Sequence, residues 1–237
     1  MNKKKLLSLA LVVIMIAILS FSSLAWFSDS DSAENQFLVA GSDDSDPDEI
    51  FSVDVWEDKD GDGDPDDEIA GEEEGLIYED ILPGDKLMKR PYVKNTGSYD
   101  QYIRVTVTIS DAQAWIDALG INAGEDAVLA VFNGFDATKW NHIWNNLNGA
   151  TTIPENIVYV MYYKDVLPVG GEINVFTDIN IPTTLTQEQA AAFGADGFTI
   201  DVKADALQTR NVVPEGTAAG EEAWAAFKYV EGLNQNP

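Results

Sequence analysis

The segment from Tyr102 to Ile109 alternates between two kinds of side chain. Isoleucine or valine occupies every second position from Ile103 onward, and tyrosine, arginine or threonine fills the positions between. Successive side chains of a β-strand point to opposite faces of its sheet, so this period predicts a strand with one face in a core. A similar alternation runs from Ile50 to Trp56 and predicts a second half-buried strand.

Turn signals divide much of the chain into short extended segments. Residues 83–85 (PGD), 95–97 (NTG) and 168–171 (PVGG) each combine residue types that favour tight turns. Three segments have helical patterns instead: SDAQAWIDALG, TLTQEQAAAF with Thr186 as its N-cap, and GEEAWAAFKYV.

Seven or more strands without regular βαβ alternation predict an all-β fold. We expect an antiparallel β-sandwich of jelly-roll type with a few short peripheral helices. It forms a single domain over residues 26–237, with an acidic insertion at 57–74 and an irregular insertion near 121–156. The polar segment just after residue 26 is expected to be mobile, and QFLVAG is the first strand candidate.

The N-terminus has the pattern of an export signal. Three lysines precede an apolar stretch from Leu6 to Leu19, and the small residues Ser23 and Ala25 stand just before Trp26. This pattern predicts a signal peptide over residues 1–25, cleaved between Ala25 and Trp26, and an extracellular location. An uncleaved membrane anchor is the alternative, because the apolar run approaches the length that spans a bilayer.

The charge balance restricts the partners of the chain. It has 41 acidic and 14 basic residues, for a formal net charge of −27. Such a surface repels the phosphates of nucleic acid, so nucleic-acid binding is not expected. The chain has no cysteine, which excludes disulfides and thiolate metal sites but leaves oxygen-ligated cations open.

The stretch DKDGDGDPDDE, residues 58–68, is the strongest candidate for a ligand site. Asp58, Asp60 and Asp62 alternate as do positions 1, 3 and 5 of a calcium loop, and Gly63 stands at position 6, where the backbone bends sharply. Carboxylate oxygens at these positions are the ligands that Ca²⁺ prefers. The spacing therefore predicts a structural calcium site, with a merely solvated acidic loop as the alternative.

The later positions of the loop depart from an EF-hand. Asp64 would offer its carbonyl and Asp66 its side chain, directly or through water, but position 12 is Ile69 instead of glutamate. The stretch resembles the DxDGDGxPDxxD loops of thrombospondin type 3 repeats through its proline and following aspartate. Calcium is accordingly the cofactor that we expect.

Four stretches of the chain resemble the TasA/camelysin family of secreted proteins. They are AWFSDSDSAENQFLVAG, LPGDKLMKRPYVKNTGSYDQYIRVTVTI, YYKDVLPVGGEINVFTDINIP and IDVKADALQTRNV. The resemblance implies a jelly-roll domain, cleavage by a dedicated signal peptidase and, as in the TasA branch, assembly into extracellular biofilm fibres. Other matrix proteins or glycans would be further partners.

The resemblance also implies how subunits would join. The mature N-terminal segment of one subunit would add as a strand to the next. In this chain that segment starts at Trp26 and includes Phe27, Phe37, Leu38 and Val39. Pairing of the same segment within its own subunit is the alternative, and the sequence leaves both open.

Peptidase activity is the weaker implication of the resemblance. Zinc hydrolysis needs about three protein ligands and a carboxylate base, whereas the chain has one histidine, His142, and no HExxH motif. A nucleophile elbow of the G-x-S-x-G type and a cysteine nucleophile are also missing. We therefore expect a protein that is not an enzyme.

Tryptophans suggest a second class of function. KWNHIWNNLN, residues 139–148, places two indoles among amides, as a glycan-binding surface does. Trp115 and Trp224 lie in helical patterns and are expected to pack in the core, which is the commoner use of buried aromatics. A monomeric surface adhesin or glycan-binding module is thus the alternative to a matrix subunit.

Overall fold

The computed structural model describes residues 28–32, 52–58, 60–63, 81–119, 132–147, 150–193 and 197–234. The predicted signal peptide lies outside these ranges, together with Ala25, Trp26, Phe27, Phe37, Leu38, Val39, Asp64 and Asp66. Within the described residues, no helix is both long and apolar enough to cross a membrane.

Most of the regular secondary structure in the described residues is β-strand, which confirms the predicted all-β class. The strands are β1 (Ser28–Ser32), β2 (Val53–Asp58), β3 (Lys86–Met88), β4 (Arg90–Asn95), β5 (Gln101–Ile109), β6 (Phe132–Asn133), β7 (Trp140–Asn145), β8 (Ile157–Tyr163), β9 (Glu172–Asn174), β10 (Asp178–Asn180) and β11 (Ile200–Gln208). The helices in these ranges are α1 (Ala112–Leu119), α2 (Gln187–Ala192) and α3 (Glu222–Asn234).

The strands form three antiparallel sheets. The largest has five strands in the order β1-β11-β5-β8-β7, and the smaller ones have the orders β3-β10-β6 and β2-β4-β9. Neighbours in these sheets are mostly distant in sequence, so the chain crosses repeatedly between sheets. β5 lies at the centre of the largest sheet, and β1 and β7 form its two edges.

One face of the five-stranded sheet packs into the main core. Ile103, Val105, Val107 and Ile109 of β5 are completely buried, which confirms the strand predicted from their alternation. The same core takes side chains from both smaller sheets, among them Val53, Val93, Leu87, Phe132 and Ile179. The three sheets therefore share a single hydrophobic centre.

Helix α3 covers the opposite face of the five-stranded sheet. Phe227 of the helix packs against Tyr162, with ring centroids 5.8 Å apart. Arg104 of β5 donates hydrogen bonds of 2.9 and 2.7 Å to Asp205 on β11 and another to Glu231 on the helix. Its guanidinium also lies 4.6 Å from the Phe227 ring centroid, so polar and apolar contacts together hold α3 in place.

All three predicted helices are present. Thr186 caps α2 as predicted, because its hydroxyl accepts a hydrogen bond from the Gln189 amide and the Gln189 side chain accepts one from the Thr186 amide. Trp115 of α1 is 1 % exposed and packs in the core, as expected. Trp224 of α3 is half-buried against a smaller cluster beneath the helix.

The predicted irregular insertion near 121–156 is wrong in part. Its described residues include β6 and β7, and β7 is a paired edge strand of the largest sheet. The register between β7 and β8 shifts between Asn141 and Trp144. Such a bulge breaks the two-residue period, so the alternation that marks a strand is hidden in the sequence.

The expectation of a mobile segment after residue 26 is also wrong for Ser28–Ser32, which form β1. The five residues, SDSDS, include no apolar side chain and give no strand pattern. They pair with β11 from Ser28 opposite Leu207 to Ser32 opposite Lys203. Backbone pairing with β11 holds this segment in the sheet, although its sequence has no strand pattern.

Candidate metal site and sheet edge

The first predicted metal ligand, Asp58, is the last residue of β2. It is 1 % exposed and lies opposite Arg90 in the β2–β4 register. Arg90 Nη1 is 3.5 Å from Asp58 Oδ2. A buried carboxylate needs a compensating charge, and the Arg90 guanidinium supplies one.

A second buried ion pair lies directly beside the first. Lys89 Nζ contacts Glu57 Oε1, and both side chains are almost fully buried. Glu57 Oε2 has no hydrogen-bond partner among the described residues. Two consecutive acids at the end of β2 are thus matched by two consecutive bases, Lys89 just before β4 and Arg90 at its start.

Aromatic stacking holds β2 and β4 together just before this point. Trp56 and Tyr92 are register partners, with ring centroids 4.3 Å apart and planes 10° from parallel. Cross-strand aromatic pairs of this kind stabilise a sheet. The acidic loop therefore leaves from a well-anchored strand end.

The described part of the loop folds back onto Asp58. The Gly61 amide donates to Asp58 Oδ1, and the Asp62 amide donates to Asp60 Oδ1 over 3.0 Å. Gly61 and Gly63 have φ of +87° and +90°, a region that residues with a Cβ rarely adopt. A Cβ on Gly61 would also overlap the Arg90 guanidinium.

The structure brings Asp58, Asp60 and Asp62 together. One carboxylate oxygen from each lies within 4.8 Å of the other two. Oxygen ligands of one Ca²⁺ sit 2.3–2.6 Å from the ion and so lie at most about 5 Å apart. The three oxygens meet this distance condition, and Asp60 and Asp62 are exposed to solvent.

Arg90 and the Lys89–Glu57 pair are the parts of this site that sequence reasoning missed. Arg90 stands 32 residues beyond Asp58, and only the pairing of β2 with β4 brings the two side chains together. The sequence does contain two consecutive acids, Glu57 and Asp58, and two consecutive bases, Lys89 and Arg90. With the β2–β4 register known, these dipeptides would have predicted the two ion pairs.

The N-terminal strand β1 defines the second feature of interest. It lies at the edge of the five-stranded sheet and pairs there with β11 of its own chain. β1 and β11 both run close to β2, the strand that carries Asp58. The candidate metal site and the sheet edge are therefore linked through one strand.

The residues of the possible glycan-binding stretch separate in the structure. Trp140 is 2 % exposed and belongs to the core, whereas Trp144 is 58 % exposed. His142 lies on β7 between them. Only one of the two indoles is thus available to a ligand.

Comparison with known proteins adds no relative. The chain matches no protein-family model, no curated protein and no solved structure.

Proposed function

We propose that this protein is an exported structural subunit of an extracellular matrix or biofilm fibre, stabilised by calcium and joined to its neighbours by N-terminal strand donation. Its three sheets would form a sandwich of jelly-roll type. The observation that carries the proposal is the position of β1 at the edge of the largest sheet.

Strand β1 is suited to exchange between subunits. Among the described strands its one neighbour is β11, and its sequence SDSDS includes no apolar residue. Its pairing with β11 rests on backbone hydrogen bonds, which are the same whether β1 comes from its own chain or from a second copy. Removal of β1 leaves β11 as an open edge that templates an incoming strand.

The connection between β1 and β2 is long enough for exchange. Residues 33–52 join the two strands, and a segment of this length spans up to roughly 65 Å when it is extended. β1 can therefore reach a neighbouring subunit while the rest of its chain stays folded. Each subunit would then give one strand and accept one, which builds a filament.

Calcium would bind in the acidic loop at the end of β2, close to the strands that take part in the exchange. Asp58, Asp60 and Asp62 would hold the ion, with Asp64 and Asp66 as the further ligands predicted from the sequence. Seven acids in eleven residues repel one another, and a divalent cation relieves that repulsion. Because β2 runs close to both β1 and β11, an ordered loop would support the edge at which subunits join.

Electron microscopy of the exported protein, with and without millimolar calcium, tests the proposal. We expect filaments, and we expect fewer or shorter ones when calcium is chelated. A matched variant lacking Trp26 to Gln36 should stay monomeric in both conditions. Filaments formed by this variant would exclude strand donation, and monomers formed by every form of the protein would favour a surface adhesin.

Two further measurements test the remaining parts of the proposal. The N-terminal residue of the exported protein should be Trp26, which mass spectrometry reads directly; an N-terminus at Met1 would indicate an uncleaved anchor. A casein assay with a chelator control should show no hydrolysis, and chelator-sensitive hydrolysis would revive the camelysin-like peptidase hypothesis.

A further inference from the structure

The loops before β5 and after β8 meet at one end of the five-stranded sheet. Gln101 and Leu167 pair there through two backbone hydrogen bonds of 3.0 and 2.8 Å. The completely buried Asn95 donates from its side-chain amide to the carbonyl oxygens of Tyr99 and Leu167, over 2.9 and 3.0 Å. The two loops are therefore fixed to each other.

These two loops carry exposed apolar side chains. Tyr99 is 50 % exposed, Val166 38 % and Val169 53 %. They are three of the eight large apolar residues that are exposed in the described part of the chain. Scattered residues of this kind are ordinary, but three on two joined loops indicate a contact surface. We call these three residues the apolar end surface.

The first residue of β1 lies toward the same end of the sheet. β1 and β5 are both antiparallel to β11, so they run in the same direction. Ser28 stands opposite Leu207, and Leu207 stands opposite Tyr102. Tyr102 follows Tyr99 by three residues. The chain that precedes Ser28 therefore enters the sheet from the end at which Tyr99 lies.

Only two residues precede β1 after the predicted cleavage, and both are aromatic. They are Trp26 and Phe27. β1 itself, SDSDS, has no apolar residue, so aromatic anchors beside it would add most to its binding. β1 lies two strands from β5, which is about 10 Å. Two residues span up to about 7 Å, and their rings reach across the rest.

Cleavage also creates a positive charge at this end. The new α-amino group of Trp26 is protonated at neutral pH. Asp100 lies on the loop before β5, and its Oδ1 accepts a hydrogen bond of 3.2 Å from the Val169 amide. An ammonium group beside that carboxylate is attracted to it. The mature N-terminus thus matches the apolar end surface in both hydrophobicity and charge.

We propose that the apolar end surface is the docking site of Trp26 and Phe27 of the mature chain. In the filament of the proposed function, on which this step rests, the two residues come from the subunit that donates β1. Their rings pack against Tyr99 and Val169, and the terminal ammonium lies beside Asp100. The precursor lacks this ammonium, so firm pairing of β1 follows removal of the signal peptide.

Hydrogen exchange of the β1 amides, read by mass spectrometry, tests this inference. The exported protein is compared with two double variants: Tyr99→Ala with Val169→Ala, and Trp26→Ala with Phe27→Ala. Each should exchange its β1 amides about tenfold faster, the effect of losing roughly 1.4 kcal/mol of apolar contact. All four substitutions together should be no faster than either pair, because each pair removes the same contact.

Two single variants and one internal reference accompany these measurements. Leu82→Ala is the matched control, since Leu82 is 63 % exposed on a different turn and should leave β1 exchange unchanged. Asp100→Asn removes only the charge, keeps an oxygen for the Val169 amide and should speed β1 exchange severalfold. The β5 amides should stay protected in every variant, which shows that the fold is intact.

Unchanged β1 exchange in either double variant would overturn the inference, as would effects that add when all four substitutions are combined. Equal acceleration by Leu82→Ala would do the same, because it would indicate a general loss of stability. The exchange of β1 does not depend on which subunit supplies the strand. If filament assays show that β1 stays in its own chain while the coupling persists, strand donation fails and the docking site stands.

Discussion

Arg90 Nη1 lies 3.5 Å from Asp58 Oδ2, so the first aspartate of the acidic loop is already matched by a cation of the protein itself. Asp58 is buried, whereas Asp60 and Asp62 are exposed. The start of the loop is thus fixed to the sheet, and the side chains of Asp60 and Asp62 face solvent. Two consequences of this asymmetry can be measured.

Calcium should raise the melting temperature of the protein through the exposed carboxylates of Asp60 and Asp62. Extracellular sites bind calcium at about 10⁻⁴ to 10⁻³ M, and a tenfold excess over Kd stabilises the folded state by about 1.4 kcal/mol. The double variant Asp60→Asn, Asp62→Asn should lose this shift in a thermal melt. Glu215→Gln with Asp165→Asn removes two exposed acids elsewhere and should keep it; an equal loss in both variants would indicate general charge screening.

Arg90 should matter most when calcium is absent. Arg90→Gln leaves the buried Asp58 carboxylate without its cation, at a cost of about 1–3 kcal/mol in the free energy of unfolding. Calcium should restore more stability to this variant than it adds to the unchanged protein, because the ion replaces the lost charge. Urea titrations with and without calcium measure both the cost of the substitution and the stabilisation by calcium. An Arg90→Gln variant that gains no more from calcium than the parent would argue against an ion at Asp58.

Lys89 and Glu57 form a buried ion pair, so removing either partner alone should destabilise the protein. Lys89→Met leaves the Glu57 carboxylate, 1 % exposed, without its counter-ion. We expect a loss of about 3–5 kcal/mol, and a much smaller loss for Lys89→Met combined with Glu57→Leu. Urea denaturation of the two single variants and the double variant gives the coupling energy. Losses that simply add would mean that the two groups do not interact.

Acid should loosen helix α3 through Glu231. Burial opposes ionisation of the Glu231 carboxyl, but the hydrogen bonds and charges of Lys228 and Arg104 prevail and hold its pKa below the usual 4.5. The folded pKa is therefore the lower one. The stabilisation is present above pH about 4.5 and is lost as the pH falls through the folded pKa.

Glu231→Gln isolates this contribution. The variant should be less stable than the parent at pH 7 and should lose less stability between pH 5 and the acid limit, as thermal melts across that range would show. The exposed Glu215→Gln serves as the matched control and should follow the parent. A parallel pH profile for Glu231→Gln would mean that the carboxylate does not hold the helix.

The sequence was sufficient to predict the elements that are determined by neighbouring residues. The alternation of β5 identifies its buried face, and Thr186 with Gln189 marks the start of α2, because both patterns are written within a few residues. The spacing of Asp58, Asp60 and Asp62 likewise predicted side chains that the structure brings together.

Features that depend on pairing between distant strands could not be predicted in this way. β1 has no strand pattern of its own and is ordered by β11, and the bulge in β7 breaks the alternation that would have revealed it. Arg90 meets Asp58 only after β2 and β4 pair. The contact of Lys228 with the Trp144 ring requires β7 and α3 to lie side by side, which no motif encodes.

Disulfide trapping between β1 and β11 tests the central proposal most directly. The chain has no cysteine, and Ser32 lies opposite Lys203 in the β1–β11 register. Opposed residues of antiparallel strands have Cβ atoms about 4.5–5.5 Å apart, close enough for a disulfide after a small adjustment. Ser32→Cys with Lys203→Cys should therefore link whichever two chains share the paired strands. Ser28→Cys with Lys203→Cys is out of register and serves as the control.

The assembled Ser32→Cys, Lys203→Cys protein is oxidised and separated on a denaturing gel without reductant. If β1 is donated from subunit to subunit, we predict a ladder of covalent multimers that collapses to a monomer on reduction, and no ladder for the out-of-register control. Filaments that dissolve into monomers carrying an internal disulfide would show that β1 stays in its own chain, and would contradict strand donation.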